Sequence, residues 1–246
     1  MTIKATAGTE FRNFARSGER QTIMNRNNED DIPPTYSSPP CLMSEVDAAY
    51  MGLEQANPAS TYVWRHQQRQ VLINARQTRS AAERATWTQA IQAAIDALLP
   101  DVEGKAIALY WPFRGEPDLR PWMNALVARG ANCLLPVVVA NARPLSFRSW
   151  RQGEPLERGV WGIPIPAAGQ DIKPSIVIAP VVGFDEGGFR LGYGGGYYDR
   201  TLAGLTPKPL VIGVGFELQK MESIRPQWHD IAMDAVVTEV RTRLRT

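Results

Sequence analysis

Cysteine and histidine are scarce in this chain of 246 residues, with two of each. Cys41 lies in a polar, proline-flanked stretch, and Cys133 sits in the apolar run Cys133-Leu134-Leu135, where a buried inert thiol is expected. Neither a disulfide framework nor a cysteine-rich zinc site has the material to form. With only His66 and His229, chemistry built on several histidines is excluded as well. Long apolar runs are missing too. No stretch approaches the about 18 uninterrupted apolar residues of a membrane span, and Met1 to Arg26 is polar with scattered arginines rather than carrying the apolar centre of a secretory signal. The expectation is a cytoplasmic protein without a membrane partner. A concentrated basic patch is likewise absent. Net charge is +2, too little to argue for nucleic acid, which usually calls for clustered cations.

The charge that is present is unevenly spread. Residues 1–60 hold five basic and eight acidic side chains, which leaves 22 of the 27 basic and 17 of the 25 acidic ones in the remainder. A mild positive excess in the body suits small anionic ligands. The first 60 residues also include Asn25-Arg26-Asn27-Asn28-Glu29-Asp30-Asp31 and Pro33-Pro34-Thr35-Tyr36-Ser37-Ser38-Pro39-Pro40. Such segments bury little apolar surface, so 1–60 is expected to be a disordered or loosely attached extension. A short helix over Ser44–Gln55 is possible within it, with Ser44 as N-cap. The domain proper is expected over 61–246.

That domain alternates helices and strands. Helices are expected over Tyr62–Arg79, from the capping box Ser80-Ala81-Ala82-Glu83 to Leu99, over Asp118–Arg129 with Gly130 as stop, and near Tyr198–Leu202. Strands are expected over Lys105–Tyr110, Cys133–Val139, Ser175–Pro180, Pro209–Phe216 and Ala235–Glu239. The alternation predicts an α/β fold with a largely parallel sheet, whose ligands bind beyond the carboxyl ends of the strands.

One segment stands out. Arg190-Leu191-Gly192-Tyr193-Gly194-Gly195-Gly196-Tyr197-Tyr198-Asp199-Arg200 places four glycines in five positions between two arginines. Glycines let the backbone approach a ligand, and successive free N–H groups make an anion-binding concavity. Arg190 and Arg200 supply cations suited to phosphate, and Asp199 a carboxylate suited to magnesium beside phosphates. The segment is neither a Walker loop nor Gly-x-Gly-x-x-Gly. A purely structural glycine turn is the alternative. On the first helix, Arg65, Arg69 and Arg76 fall within roughly 40° of one another at ~100° per residue. This basic stripe faces either phosphates or solvent.

The run Gly183-Phe184-Asp185, then Gly188-Phe189 into the glycine loop, resembles the signature of the 5-formyltetrahydrofolate cyclo-ligase (5,10-methenyltetrahydrofolate synthetase) family. Supporting pieces are Tyr110-Trp111-Pro112-Phe113-Arg114-Gly115-Glu116-Pro117-Asp118, Leu135-Pro136, Gly159-Val160-Trp161-Gly162-Ile163 before Pro166, and His229-Asp230 before Asp234-Ala235-Val236-Val237-Thr238-Glu239. The resemblance spans about 62 to 240. It implies a three-layer α/β/α fold shared with sugar-phosphate isomerases and CoA transferases. It also implies an ATP-dependent ligase that turns 5-formyltetrahydrofolate into 5,10-methenyltetrahydrofolate, working as a monomer or small homo-oligomer with Mg2+.

Roles follow from the same resemblance. Arg190, Tyr197 and Asp199 are the expected catalytic residues. Arg65, Arg69 and Arg190 to Tyr198 (Leu191, Gly192, Tyr193, Gly194, Gly195, Gly196 and Tyr197 between them) are the expected ATP contacts. Trp111, Glu116 and Tyr193 to Tyr197 are expected on the folate, and Asp199 and Asp230 at the metal. Arg65 departs from the pattern, standing where the family usually has lysine. A non-catalytic relative binding nucleotide or folate is the alternative, and a sugar-phosphate isomerase or CoA-transferase-like protein a more distant one.

Overall fold

The computed structural model describes residues 58–245. Cys41, the expected helix Ser44–Gln55 and residues 1–57 of the expected extension lie outside the described residues.

Among the described residues, four α-helices and eleven strands follow in chain order. Helix α1 (Pro58–Gln77) opens on a proline, whose fixed φ suits a first turn. Helix α2 (Ala81–Leu98) opens on the expected capping box. The Ser80 hydroxyl accepts from the Glu83 N–H at 3.1 Å, and Glu83 Oε2 accepts from the Ser80 N–H at 2.9 Å. After β1 (Ala106–Ala108) comes α3 (Arg120–Ala128), which has proline in its first turn and ends before Gly130 at φ 84°.

Strand β2 (Asn132–Val137) and the short β3 (Ser146–Ser149), β4 (Leu156–Arg158) and β5 (Pro164–Pro166) come next. They lead to β6 (Ile176–Pro180), the hairpin β7 (Gly183–Phe184) and β8 (Arg190–Leu191), and α4 (Tyr197–Gly204). Strands β9 (Leu210–Val214), β10 (Ala235–Val237) and β11 (Thr242–Leu244) finish the chain.

The main sheet has seven strands in the order β11-β10-β9-β6-β1-β2-β3. Its five central strands pair in parallel, and β3 and β11 close the two edges antiparallel. Alternate residues of the central strands point to opposite faces. Ile107, Cys133, Leu135, Ile176, Ile178, Ile212 and Val214 pack with Ile91 and Ile95 of α2 and with Trp122 and Leu126 of α3. Ala108, Leu134, Val177, Ala179, Val211 and Val236 pack with Phe147 and with Leu202 of α4. Helices therefore cover both faces, as parallel sheets require. The α/β fold read from the sequence stands. Cys133 is buried as expected, and burial pushes its thiol up to about 12.

Four of the five expected strands end two residues sooner than their apolar runs, while β6 ends at Pro180 as expected. The run expected as a strand to Tyr110 leaves the sheet after Ala108, with one further bond from the Leu109 N–H to the Leu134 carbonyl at 2.9 Å. Tyr110 and Trp111 then become cavity wall. Strands β3, β4, β5, β7, β8 and β11 had no counterpart among the expected strands. They are two to four residues long, and β4–β5 carries Pro164 and Pro166, so no period-two pattern marks them. No described helix is long and apolar enough to cross a membrane.

Candidate active site

A partly open cavity of about 190 Å³ lies beyond the carboxyl ends of β1, β2 and β6. Its wall brings together Arg65, Arg69, Trp111, Glu116, Asp230 and the whole of Arg190–Asp199. These segments are far apart in sequence, and the topology places them around one space.

The glycine loop begins at β8, which pairs antiparallel with β7 through Gly183↔Leu191 and Phe184↔Arg190. Asp185 braces the hairpin, accepting from the Phe189 N–H at 3.1 Å and the Ile224 N–H at 3.0 Å. The loop then needs glycine at particular places. Gly194 (φ 98°) and Gly196 (φ 62°) are left-handed. A Cβ on Gly195 would stand 2.7 Å from the Tyr197 ring. Gly196 is the N-cap of α4, so the helix N-terminus opens at the cavity.

Charged side chains tie this loop down. Arg69 donates from Nε to the Gly192 carbonyl at 2.7 Å. Arg190, 5% exposed, donates to Asp199 Oδ1 at 2.7 Å and to the Ile231 carbonyl at 2.9 Å. Asp199 Oδ1 also accepts from the Ile231 N–H at 3.1 Å. All hydrogen bonds to Asp199 thus fall on one of its two oxygens. Tyr198 lines the cavity beside them, with its ring 5.7 Å from the Arg190 guanidinium carbon and its buried hydroxyl unpartnered. Burial raises that phenol above its ordinary value.

Arg65 and Asp230, expected at ATP and metal respectively, meet each other. Arg65 Nη2 and Asp230 Oδ2 are 2.5 Å apart, and the guanidinium also donates to the carbonyls of Ile224 and Arg225 at 3.1 and 2.7 Å. Asp230 Oδ2 further accepts from the Gln227 N–H at 2.6 Å. The pair fastens α1 to the segment before β10. Beside it, the buried His229 Nδ1 lacks a partner.

Another part of the cavity wall is built around Glu116, 6% exposed. Its Oε2 accepts from the Phe113 N–H at 2.9 Å, and its Oε1 accepts from the Tyr193 hydroxyl at 2.9 Å. Arg76, fully buried, stands 3.5 Å from Oε1 and donates to the Tyr193 oxygen at 2.5 Å. Burial raises the Glu116 pKa above the usual carboxylate range, while Arg76 and these hydrogen bonds pull it back down. Trp111 packs edge-on to Trp150 with centroids 5.7 Å apart, and Arg120 lies over its ring at 4.9 Å.

The basic stripe on α1 thus divides three ways. Arg69 reaches the glycine loop, Arg65 pairs with Asp230, and Arg76 serves Glu116. Neither phosphate nor solvent was the right expectation for Arg76, whose partners come from three other segments. Trp161 also carried no assigned role. It sits at φ 58° and is 56% exposed, 6.3 Å from the Tyr193 ring and 6.5 Å from that of Tyr197. Its neighbours Gly159 and Gly162 were the signal of a tight turn there. Among the described residues no three His, Cys, Asp or Glu side chains cluster as a ready metal cage.

Known proteins resemble this chain in sequence and fold. The family model of the 5-formyltetrahydrofolate cyclo-ligase family matches residues 61–239. The 5-formyltetrahydrofolate cyclo-ligase of Escherichia coli K12 is 34% identical over 146 residues, covering 56% of this chain and 80% of its own. That of Mycolicibacterium smegmatis is 29% identical over 183 residues, covering 71% and 93%. The NMR structure of Aquifex aeolicus 5,10-methenyltetrahydrofolate synthetase superposes with a TM-score of 0.64 at 30% identity, over 73% of this chain and 92% of that one. The Mycoplasma pneumoniae synthetase, at 23% identity and a TM-score of 0.60, has the same fold. With the model spanning most of the chain, the protein belongs to the 5-formyltetrahydrofolate cyclo-ligase family.

Proposed function

We propose that this chain converts 5-formyltetrahydrofolate to 5,10-methenyltetrahydrofolate at the cost of ATP, releasing ADP and phosphate. One observation carries the reading: a single cavity is walled both by a buried carboxylate and by a glycine loop with an embedded Arg–Asp pair. A carboxylate suits the donor groups of an aminopyrimidine ring, and a glycine loop suits phosphates.

In this reading the γ-phosphoryl group of ATP passes to the formyl oxygen, and ADP departs. N10 then attacks the activated formyl carbon and loses its proton. The phosphorylated oxygen leaves as phosphate, closing the ring. No protein nucleophile is needed. The protein holds two ligands in line and balances charge on the group in transfer. Arg190 offers a cation at the loop, Tyr197 and the loop amides border the reacting groups, and Trp111 with Glu116 grips the folate. Arg69 keeps the loop in place from α1.

The donor set fits magnesium modestly. Asp199 has one oxygen without a hydrogen bond, and magnesium commonly takes one or two carboxylates with phosphate and water. When bound it would neutralise part of the phosphate charge. Asp230 would have to exchange Arg65 for the ion, so Asp199 is the principal ligand in this proposal. We read the protein as cytoplasmic, a monomer or small homo-oligomer, with small-molecule partners alone.

The test is the appearance of methenyl absorbance when purified chain meets 5-formyltetrahydrofolate, ATP and Mg2+. Turnover that needs all three is expected. Folded protein that binds folate by calorimetry yet makes no methenyl product would replace this reading with a non-catalytic one.

A further inference from the structure

Arg76 is a charged side chain that the reaction above leaves without a task, and it is fully buried. A guanidinium inside a protein is costly unless every donor is matched. Here the partners come from three segments. Nε donates to the Arg114 carbonyl at 2.8 Å, and Nη1 to the Val181 carbonyl at 3.2 Å, just past the end of β6. Nη2 donates to the Tyr193 hydroxyl at 2.5 Å, with the Phe113 carbonyl at 3.3 Å and Glu116 Oε1 at 3.5 Å around it. The Tyr193 hydroxyl in turn donates to Glu116 Oε1 at 2.9 Å. The order is therefore guanidinium, phenol, carboxylate. Glu116 belongs to the loop after β1, Tyr193 to the glycine loop, and Arg76 to α1.

We propose that Arg76 is a positioning residue that sets the folate-recognising carboxylate of Glu116 and the Tyr193 corner of the glycine loop as one hydrogen-bonded unit. The inference rests on the folate role given to Glu116 above. Two consequences follow from the geometry. The planar fork fixes where Glu116 points, a task that the single ammonium of lysine performs poorly. The positive charge also works against the raising effect of burial on Glu116, favouring the ionised form, whose two oxygens are both free to accept. The other titratable groups acting on Glu116 and Tyr193 offer no substitute. Tyr110 and Tyr198 are buried phenols, raised by burial and by Glu116 itself, and Tyr193 is raised for the same reasons.

A cycle of Arg76→Gln, Glu116→Gln and the double variant tests this, with steady-state turnover followed by methenyl absorbance from pH 5.5 to 8. Arg76→Gln is expected to lower kcat/KM for folate by about 10-fold or more, chiefly through KM, while KM for ATP shifts less than about 2-fold. Its folate profile should gain an acid limb, because Glu116 without Arg76 protonates at higher pH. Arg76→Lys should remove that limb, by restoring the charge, and keep a raised folate KM, by lacking the fork. The double variant should be no worse than Glu116→Gln alone, since both changes act through one group.

Should Arg76→Gln fail to fold with its carboxylate unpaired, the double variant carries neither charge and still decides. Multiplying losses in it, or a folded Arg76→Gln with ordinary folate kinetics and profile, overturns the inference. Unchanged folate kinetics in Glu116→Gln would instead overturn the folate role of Glu116.

Discussion

Two parts of the cavity wall are made differently. Around Glu116, side chains fill one another's hydrogen-bonding needs: Arg76, Tyr193, Glu116 and the Phe113 N–H form a closed, buried set. Around Asp199 the wall is largely backbone, Gly194 to Gly196 and a helix N-terminus, with one carboxylate oxygen and the Tyr198 hydroxyl lacking hydrogen bonds. In the proposed reading the first would hold the folate ring in a shape set beforehand. The second would take the phosphoryl group and its metal, with polar groups left for them. Preorganised polar networks and open anion cradles suit these two demands separately.

The difference predicts where substitutions act. Asp199→Asn should strike hardest, lowering kcat about 10²- to 10³-fold, the usual scale for losing one charge-stabilising group. Folding should be retained, since asparagine can still accept from Arg190 and the Ile231 N–H. Single-turnover rates and circular dichroism would check both points, and a near-wild-type kcat would remove Asp199 from the metal.

Arg65→Gln should come next, and it should act on stability. It strips the cation from a mostly buried Asp230. Breaking such a pair costs about 2–3 kcal/mol when burial is incomplete, or about 4–12 °C in the melting midpoint for a domain of this size. A stable variant with a raised KM for ATP would make Arg65 a nucleotide contact rather than a brace.

Tyr193→Phe should be the mildest. It removes one hydroxyl that accepts from Arg76 and donates to Glu116, a loss of about 0.5–1.5 kcal/mol. That corresponds to about 2- to 12-fold in kcat/KM for folate, with ATP kinetics nearly unchanged. An equal effect on both substrates would dissolve the distinction between the two parts of the wall.

Local signals carried much of the fold. Ser80 and Glu83 marked the start of α2, Gly130 the end of α3, and the apolar runs at 133–139 and 175–180 the strands β2 and β6, because capping and burial leave traces a few residues apart. The hairpin β7–β8 left none, for its two-residue strands exist only through pairing across Asp185–Phe189. The site divides likewise. The glycine loop announced itself, since left-handed backbone at Gly194 and Gly196 demands a residue type. Arg65, Arg69 and Arg76 were visible as a stripe, but one stripe on a helix says nothing of what each residue meets.

The amino-acid sequence alone determined the α/β order, the glycine-rich loop between two arginines at 190–200 and the shortage of cysteine and histidine. Tertiary structure decided the partners: Arg65 on Asp230, Arg69 under Gly192, Arg76 behind Glu116 and Tyr193. Composition can require that a buried charge be matched, but the match itself is a distance between segments 40 to 165 residues apart, and only the folded sheet brings those segments within hydrogen-bonding reach.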